Sequence, residues 1–203
     1  MFFWWFRALT DILPFAEFTP LAVMMDAQFF DAHPLSRWFL KVVSKYLVPV
    51  RVEHYSGTEA EAREAQRRSI VSTLDREGKP LFYFPEGWDT NGKGLLRYQQ
   101  FMFSLGKPVL PAALKVRVGL FLPFRPGMLG SSIFREILWL FFCPYYDYHI
   151  TILPAVRQGS ENGMEFAQRT QRLTALSLGI PATTFSKSDA LTYRRSLLKP
   201  KAD

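Results

Sequence analysis

The run Leu81-Phe82-Tyr83-Phe84-Pro85-Glu86-Gly87-Trp88-Asp89-Thr90-Asn91-Gly92 gathers residue types that could do chemistry. An apolar stretch stops at a proline, which cannot donate to a β ladder. A carboxylate, a glycine and a polar loop follow. Ligands of α/β sheets bind outside the carboxyl ends of the strands, so Glu86 stands where a site is expected. Gly87 lets backbone come close to a ligand. Asn91 and Gly92 suit a turn with positive φ. Lys93 and Arg97 bring cations suited to a phosphate. Two readings are open: a binding loop centred on Glu86, or a strand-to-loop corner in which Glu86 accepts backbone N–H bonds.

Proton transfer requires a base and a group to orient it. The three histidines, His33, His54 and His149, lie far apart and show no metal-ligand spacing, so no metal site is expected. Cys143 is the single cysteine, which excludes an internal disulfide and a cysteine-based metal site. Five residues after His33 stands Trp38, and after His149 stands Pro154. His54 alone has an acid at that distance, Glu59, and the pair is a candidate dyad. The plainer alternative is a surface histidine beside a helix N-terminus.

Alternating helices and strands position these residues. Leu35, Trp38, Phe39, Val42, Val43 and Tyr46 recur at helical spacing, which predicts a helix over 35–47 between Pro34 and Pro49. Residues 50–55 read as a short half-polar strand. Residues 58–77 are rich in Ala, Glu, Arg and Gln, good helix formers, with Gly78 as C-cap. A wholly apolar strand is expected over 81–84, and further strands over 107–118 and 146–153. An apolar helix is expected over 131–142. Asn162 with Glu165 forms a capping box that opens a helix to residue 178, and a short basic helix is expected over 189–198. The fold class is α/β.

The run Phe84-Pro85-Glu86-Gly87, with Thr90-Asn91-Gly92, Leu95-Leu96-Arg97, Phe101, Phe103 and Pro108-Val109-Leu110-Pro111, resembles the PlsC-type glycerolipid acyltransferases. In that family a Pro-Glu-Gly loop contacts the acyl acceptor and a Val-x-Pro strand follows. Usual members continue with Thr-Arg-Ser, where this chain has Trp88-Asp89-Thr90. Thr-Asn-Gly before Leu-Leu-Arg is similar to a narrower branch, the lysophosphatidylcholine-acyltransferase-like proteins and above all the ancient ubiquitous protein family. Glu136-Ile137-Leu138-Trp139 and Glu165-Phe166-Ala167 resemble that family further, and the likeness runs over roughly 82–199.

The resemblance implies a single glycerolipid-acyltransferase-like domain over 1–200, incomplete at its N-terminus, with a mixed sheet flanked by helices. Residues 1–30 form a hydrophobic membrane-proximal segment and 185–203 a basic tail. The acceptor or phosphate would meet Pro85, Glu86, Gly87, Asn91, Gly92 and Arg97, with Trp88 and Pro111 lining the pocket. These enzymes carry His-x4-Asp. Here Glu17-Phe18-Thr19-Pro20-Leu21-Ala22 resembles the block His-Val-Thr-Pro-Phe-Asp, so Glu17 replaces the base and Ala22 the orienting Asp. A carboxylate with a pKa near ~4.3 is a far weaker base toward an alcohol than a supported imidazole. The expectation is a fold retained with weak or absent acyl transfer. Alternatives are an active acyl-CoA-dependent lysophospholipid or glycerolipid acyltransferase, and a scaffold recruiting ubiquitin-conjugation machinery at lipid droplets. No bound cofactor is expected, and acyl-CoA is the implied co-substrate. The ubiquitin-related modules of the ancient ubiquitous protein follow its acyltransferase-like region, and this sequence stops at Asp203, so ubiquitin partners are not carried over.

Composition points to a lipid surface. The chain is 48% hydrophobic and 21% charged, which suits a globular fold. Aromatic residues reach 16%, with 19 Phe, beside a net charge of +7. That combination suits a protein resting on an anionic bilayer, or an aromatic-rich core with a basic surface. The cations are scattered, which argues against nucleic acid. No stretch reaches the ~18 consecutive apolar residues of a spanning helix. Aromatic anchors are expected at 1–6, 121–124 and 137–142, the last of which suits a core helix packed on the sheet equally well. The expected location is the cytosolic face of the endoplasmic reticulum membrane and lipid droplets.

Overall fold

A computed structural model describes residues 21–26, 47–52, 58–88, 90, 92–118 and 145–198. The chain forms two compact units, Met1–Phe84 and Pro85–Asp203.

The first unit holds β1 (Leu21–Asp26), β2 (Leu47–Val52), helix α1 (Glu59–Glu77) and β3 (Leu81–Phe82). The strands form a parallel sheet in the order β2-β1-β3, with Ala22 opposite both Val48 and Leu81. The helix expected over 35–47 lies outside the described residues, apart from Leu47, which opens β2 instead. The following strand therefore runs earlier than the expected 50–55. Its Val-rich run favours extended backbone, and Pro49 is tolerated because β2 is an edge strand of this sheet. β3 is shorter than expected and stops before Tyr83. Beyond it the Phe82 and Phe84 rings meet edge to face at 5.0 Å. Burial pushes the Tyr83 phenol up to about 12.

The α1 helix follows its local signals. The Thr58 hydroxyl accepts the Glu61 N–H while the Glu61 carboxylate accepts the Thr58 N–H, and Gly78 closes the helix at φ +62°. Ile70 is its buried anchor. Its exposed side carries Glu–Arg pairs, among them Glu64 with Arg67 at 3.0 Å.

The second unit holds α2 (Gln100–Phe103), β4 (Ala112–Val118), β5 (Tyr146–Ile152), α3 (Gly163–Leu178) and α4 (Lys187–Leu198). β4 and β5 pair antiparallel, from Ala112 opposite Ile152 to Val118 opposite Tyr146. The described strands thus make two sheets, one parallel and one antiparallel, instead of the single mixed sheet expected. The class remains mixed α/β. β4 starts later than residue 107 because Pro108 and Pro111 lack N–H donors; only Val109 between them pairs, with Val156. The helix expected over 131–142 lies outside the described residues.

α3 runs as its capping box predicts. Asn162 accepts the Met164 and Glu165 N–H groups at 3.0 Å, and Gly179 closes the helix at φ +67°. α4 starts ahead of residue 189 because Ser186 caps it, in a reciprocal pair with Asp189. The core of this unit packs Phe166 and Ala167, both fully buried, with Leu95, Tyr98, Phe103 and Ala175. The Phe103 ring meets Phe166 edge to face at 5.6 Å and stacks on Tyr98 at 5.9 Å. Phe166→Ala is expected to destabilise this unit by about 3–5 kcal/mol, measured by urea unfolding of the whole chain.

Candidate functional site

The turn Pro85-Glu86-Gly87 opens the second unit and closes on the segment 95–99. The Gln99 N–H donates to the Pro85 carbonyl at 2.9 Å. The Leu96 N–H donates to Oε2 of Glu86 at 2.8 Å. Gly87 is buried between them at φ +63°. A Cβ there would stand 1.8 Å from Nε2 and 2.8 Å from Cδ of Gln99. The left-handed backbone therefore requires glycine, and a Cβ would also displace the end of the Gln99 side chain lying against it. The close approach expected toward a ligand is here made to Gln99. The backbone N–H bond of the corner reading is present, made to Oε2 of Glu86.

The opposite edge of the segment is held as firmly. The Leu95 N–H donates to the Pro181 carbonyl at 3.0 Å, the Thr183 N–H to the Leu95 carbonyl at 2.9 Å, and the Arg97 N–H to the Phe185 carbonyl at 2.7 Å. Across the top lies the buried Gln171 of α3. Its Nε2 reaches the carbonyls of Leu96 at 2.9 Å, Thr183 at 3.0 Å and Leu95 at 3.2 Å. Three surrounding acceptors demand the amide nitrogen there, and its two hydrogens serve all three by sharing. Gly94 belongs to the same contact: a Cβ on it would meet Thr183 Cγ2 at 2.9 Å.

Tyr98 follows on the buried side. Burial pushes its phenol up to about 12, the Glu86 charge adds to the rise, and a hydrogen bond with Thr174 opposes it. The phenol is thus neutral at physiological pH, and the Glu86 charge is felt inside the unit.

Gly92 adopts φ +69° as expected, and its N–H donates to Thr90 Oγ1 at 3.3 Å. Asn91 lies outside the described residues. Arg97 is exposed, on the side away from buried Leu96 and Tyr98. Its charge reaches Asp189, whose carboxyl is held below the usual range first by the Ser186 hydroxyl, then by the Ser186 N–H, with Arg97 adding to them. Trp88 is half-buried, and Pro111 is buried beside β4, its carbonyl accepting the Leu153 N–H at 2.9 Å. Ala22 sits in β1, and Glu17 lies outside the described residues. So does His54, while Glu59 is exposed in the first turn of α1 and ion-paired with Arg63. The dyad partner thus already has a cation.

Sequence reasoning missed Gln99, Gln171 and Tyr98. Leu96 lies 75 residues from Gln171 in the chain, so no local pattern marks the contact.

The lipid droplet-regulating VLDL assembly factor AUP1 of Danio rerio is 35% identical over 130 residues, covering 61% of this chain and 30% of that protein. Its Xenopus laevis counterpart is 38% identical over 118 residues, covering 57% and 29%. This chain is a homologue of AUP1. A weaker likeness reaches the lysophospholipid acyltransferase LPCAT4 of Xenopus tropicalis, 28% identical over 138 residues, covering 64% of this chain and 25% of that protein. The chain spans about a third of the length of the AUP1 proteins it matches. No protein-family model matches it, and no solved structure does.

Gly87→Ala is expected to destabilise the second unit by more than the about 1–2 kcal/mol of a left-handed alanine. In a double-mutant cycle, Gln99→Ala should return the excess and leave the backbone part. Chemical denaturation of the four proteins measures both parts, and additive losses would remove the Gln99 contact from the account.

Proposed function

We propose that this chain is a lipid-droplet-associated protein built on the glycerolipid-acyltransferase plan, with weak or absent acyl transfer. The observation that carries this reading is the hydrogen bond from the Leu96 N–H to Glu86. Oε2 of this carboxylate supports the chain's own backbone, a structural role that needs no acyl acceptor. The residues at the His-x4-Asp positions, Glu17 and Ala22, support the same reading, since neither is an oriented imidazole. Association with lipid droplets is supported by the names of the AUP1 relatives, and the endoplasmic reticulum membrane is the companion location. As an acyltransferase plan the fold would receive acyl-CoA and a lysophospholipid or glycerolipid.

The second reading is an active acyltransferase, favoured by the likeness to LPCAT4. In that reaction the acceptor hydroxyl oxygen forms an ester with the thioester carbonyl. The carbon–sulfur bond breaks, and the hydroxyl proton passes through a base to the departing CoA thiolate. A base is the part the chain lacks at the expected place.

Purified protein incubated with acyl-CoA and lysophosphatidylcholine or lysophosphatidic acid is expected to release CoA at the rate of a protein-free blank. Glu86→Gln provides the control, because its side-chain carbonyl still accepts the Leu96 N–H while the negative charge is gone. Transfer by the wild type that disappears in Glu86→Gln, with the fold intact by circular dichroism, would establish the active reading instead.

A further inference from the structure

The start of β4 and the end of β5 carry a second feature that the acyltransferase plan does not use. Val109 and Val156 exchange both N–H···O bonds, at 2.9 and 2.8 Å, and pack on the core. Two steps further along, the Leu153 N–H donates to the Pro111 carbonyl. Between these two links the first strand advances from 109 to 111 and the second from 156 to 153, so Pro154 and Ala155 form a bulge. Alternation along 109–113 then sorts the side chains. Pro111 and Ala113 are buried, and Val109 packs inward. Leu110 and Ile152 stand outward, 60% and 57% exposed, with Ala112 between them as the partner of Ile152. The half-buried pair Leu114 and Ile150 continues the same face.

The flanking segments 106–110 and 152–158 contain Lys107 and Arg157, both exposed, and no acidic residue. Two exposed aliphatic side chains on a rigid ladder, bordered only by cations in these segments, are complementary to a surface with an anionic exterior and an apolar interior. We propose that the Leu110–Ile152 face is where the second unit docks on an anionic phospholipid surface. The inference rests on the lipid-surface reading above and adds to it the contact residues.

The test is flotation of the full-length chain with vesicles of phosphatidylcholine alone or with added phosphatidylserine. The wild type is expected to float, and better with phosphatidylserine. Leu110→Ser with Ile152→Ser should lower the bound fraction with both vesicles, while Lys107→Gln with Arg157→Gln should lower it about fivefold per cation removed, on phosphatidylserine vesicles only. All four side chains are exposed, and unchanged circular dichroism confirms folding of each variant. Equal flotation of the wild type and both double variants overturns this face while leaving the lipid-surface reading intact. A wild type that floats with neither vesicle overturns both. A concentration-dependent dimer in sedimentation that Leu110→Ser with Ile152→Ser abolishes, without change in flotation, assigns the face to a second copy of the chain and overturns the proposal.

Discussion

Three backbone carbonyls, of Leu95, Leu96 and Thr183, converge on the side-chain amide of Gln171. Without a donor at that point the Leu96 and Thr183 carbonyls would lose this bond, at a cost of about 1–3 kcal/mol for a buried acceptor left unpaired, while the Leu95 carbonyl would keep the Thr183 N–H and hydroxyl. The amide is itself fixed, since α3 is anchored by Phe166 and Ala167 and capped at both ends. A helix therefore sets the place of the segment 95–99, and this segment sets the place of the turn before it. Leu96 and Gln99 donate to Glu86 and Pro85, and the Gln99 side chain fills the space over Gly87.

This chain of supports changes the meaning of the Pro-Glu-Gly run. As a sequence it reads as the acceptor side of an acyl-transfer site. In the structure its proline carbonyl, its carboxylate and its glycine each have a partner within the unit. The run can be retained for folding alone. The AUP1 proteins and the more distant LPCAT4 are similar to this chain over 57–64% of its length.

What the sequence revealed, and what it hid, divides by the range of the interactions. Thr58 with Glu61 and Asn162 with Glu165 are three residues apart, so the caps of α1 and α3 were readable, as were their glycine ends. The antiparallel strands were readable from alternation, though prolines at 108 and 111 delayed the start of β4. The stretch around Leu47 failed because its apolar residues satisfy a helical period and a Val-rich strand equally, and pairing with β1 decides the outcome for 47–52. At the site, Glu86 and Gly87 were found from the strand-to-loop corner. Their partners were not, because Gln99 and Gln171 are ordinary polar residues whose roles arise only when distant segments meet. Arg97, read as a phosphate-binding cation, is exposed, and its charge also reaches Asp189.

The claim on which the rest depends is that the Glu86 carboxylate is a structural acceptor for the Leu96 amide. Native-state hydrogen exchange at that amide tests it directly, with the neighbouring Gln99 amide, bonded to a backbone carbonyl, as internal reference. The account predicts that both amides are protected in the wild type and that Glu86→Ala accelerates exchange at Leu96 more than at Gln99. A Leu96 amide that exchanges at the rate of an open chain in the wild type, or equally in both proteins, would contradict it.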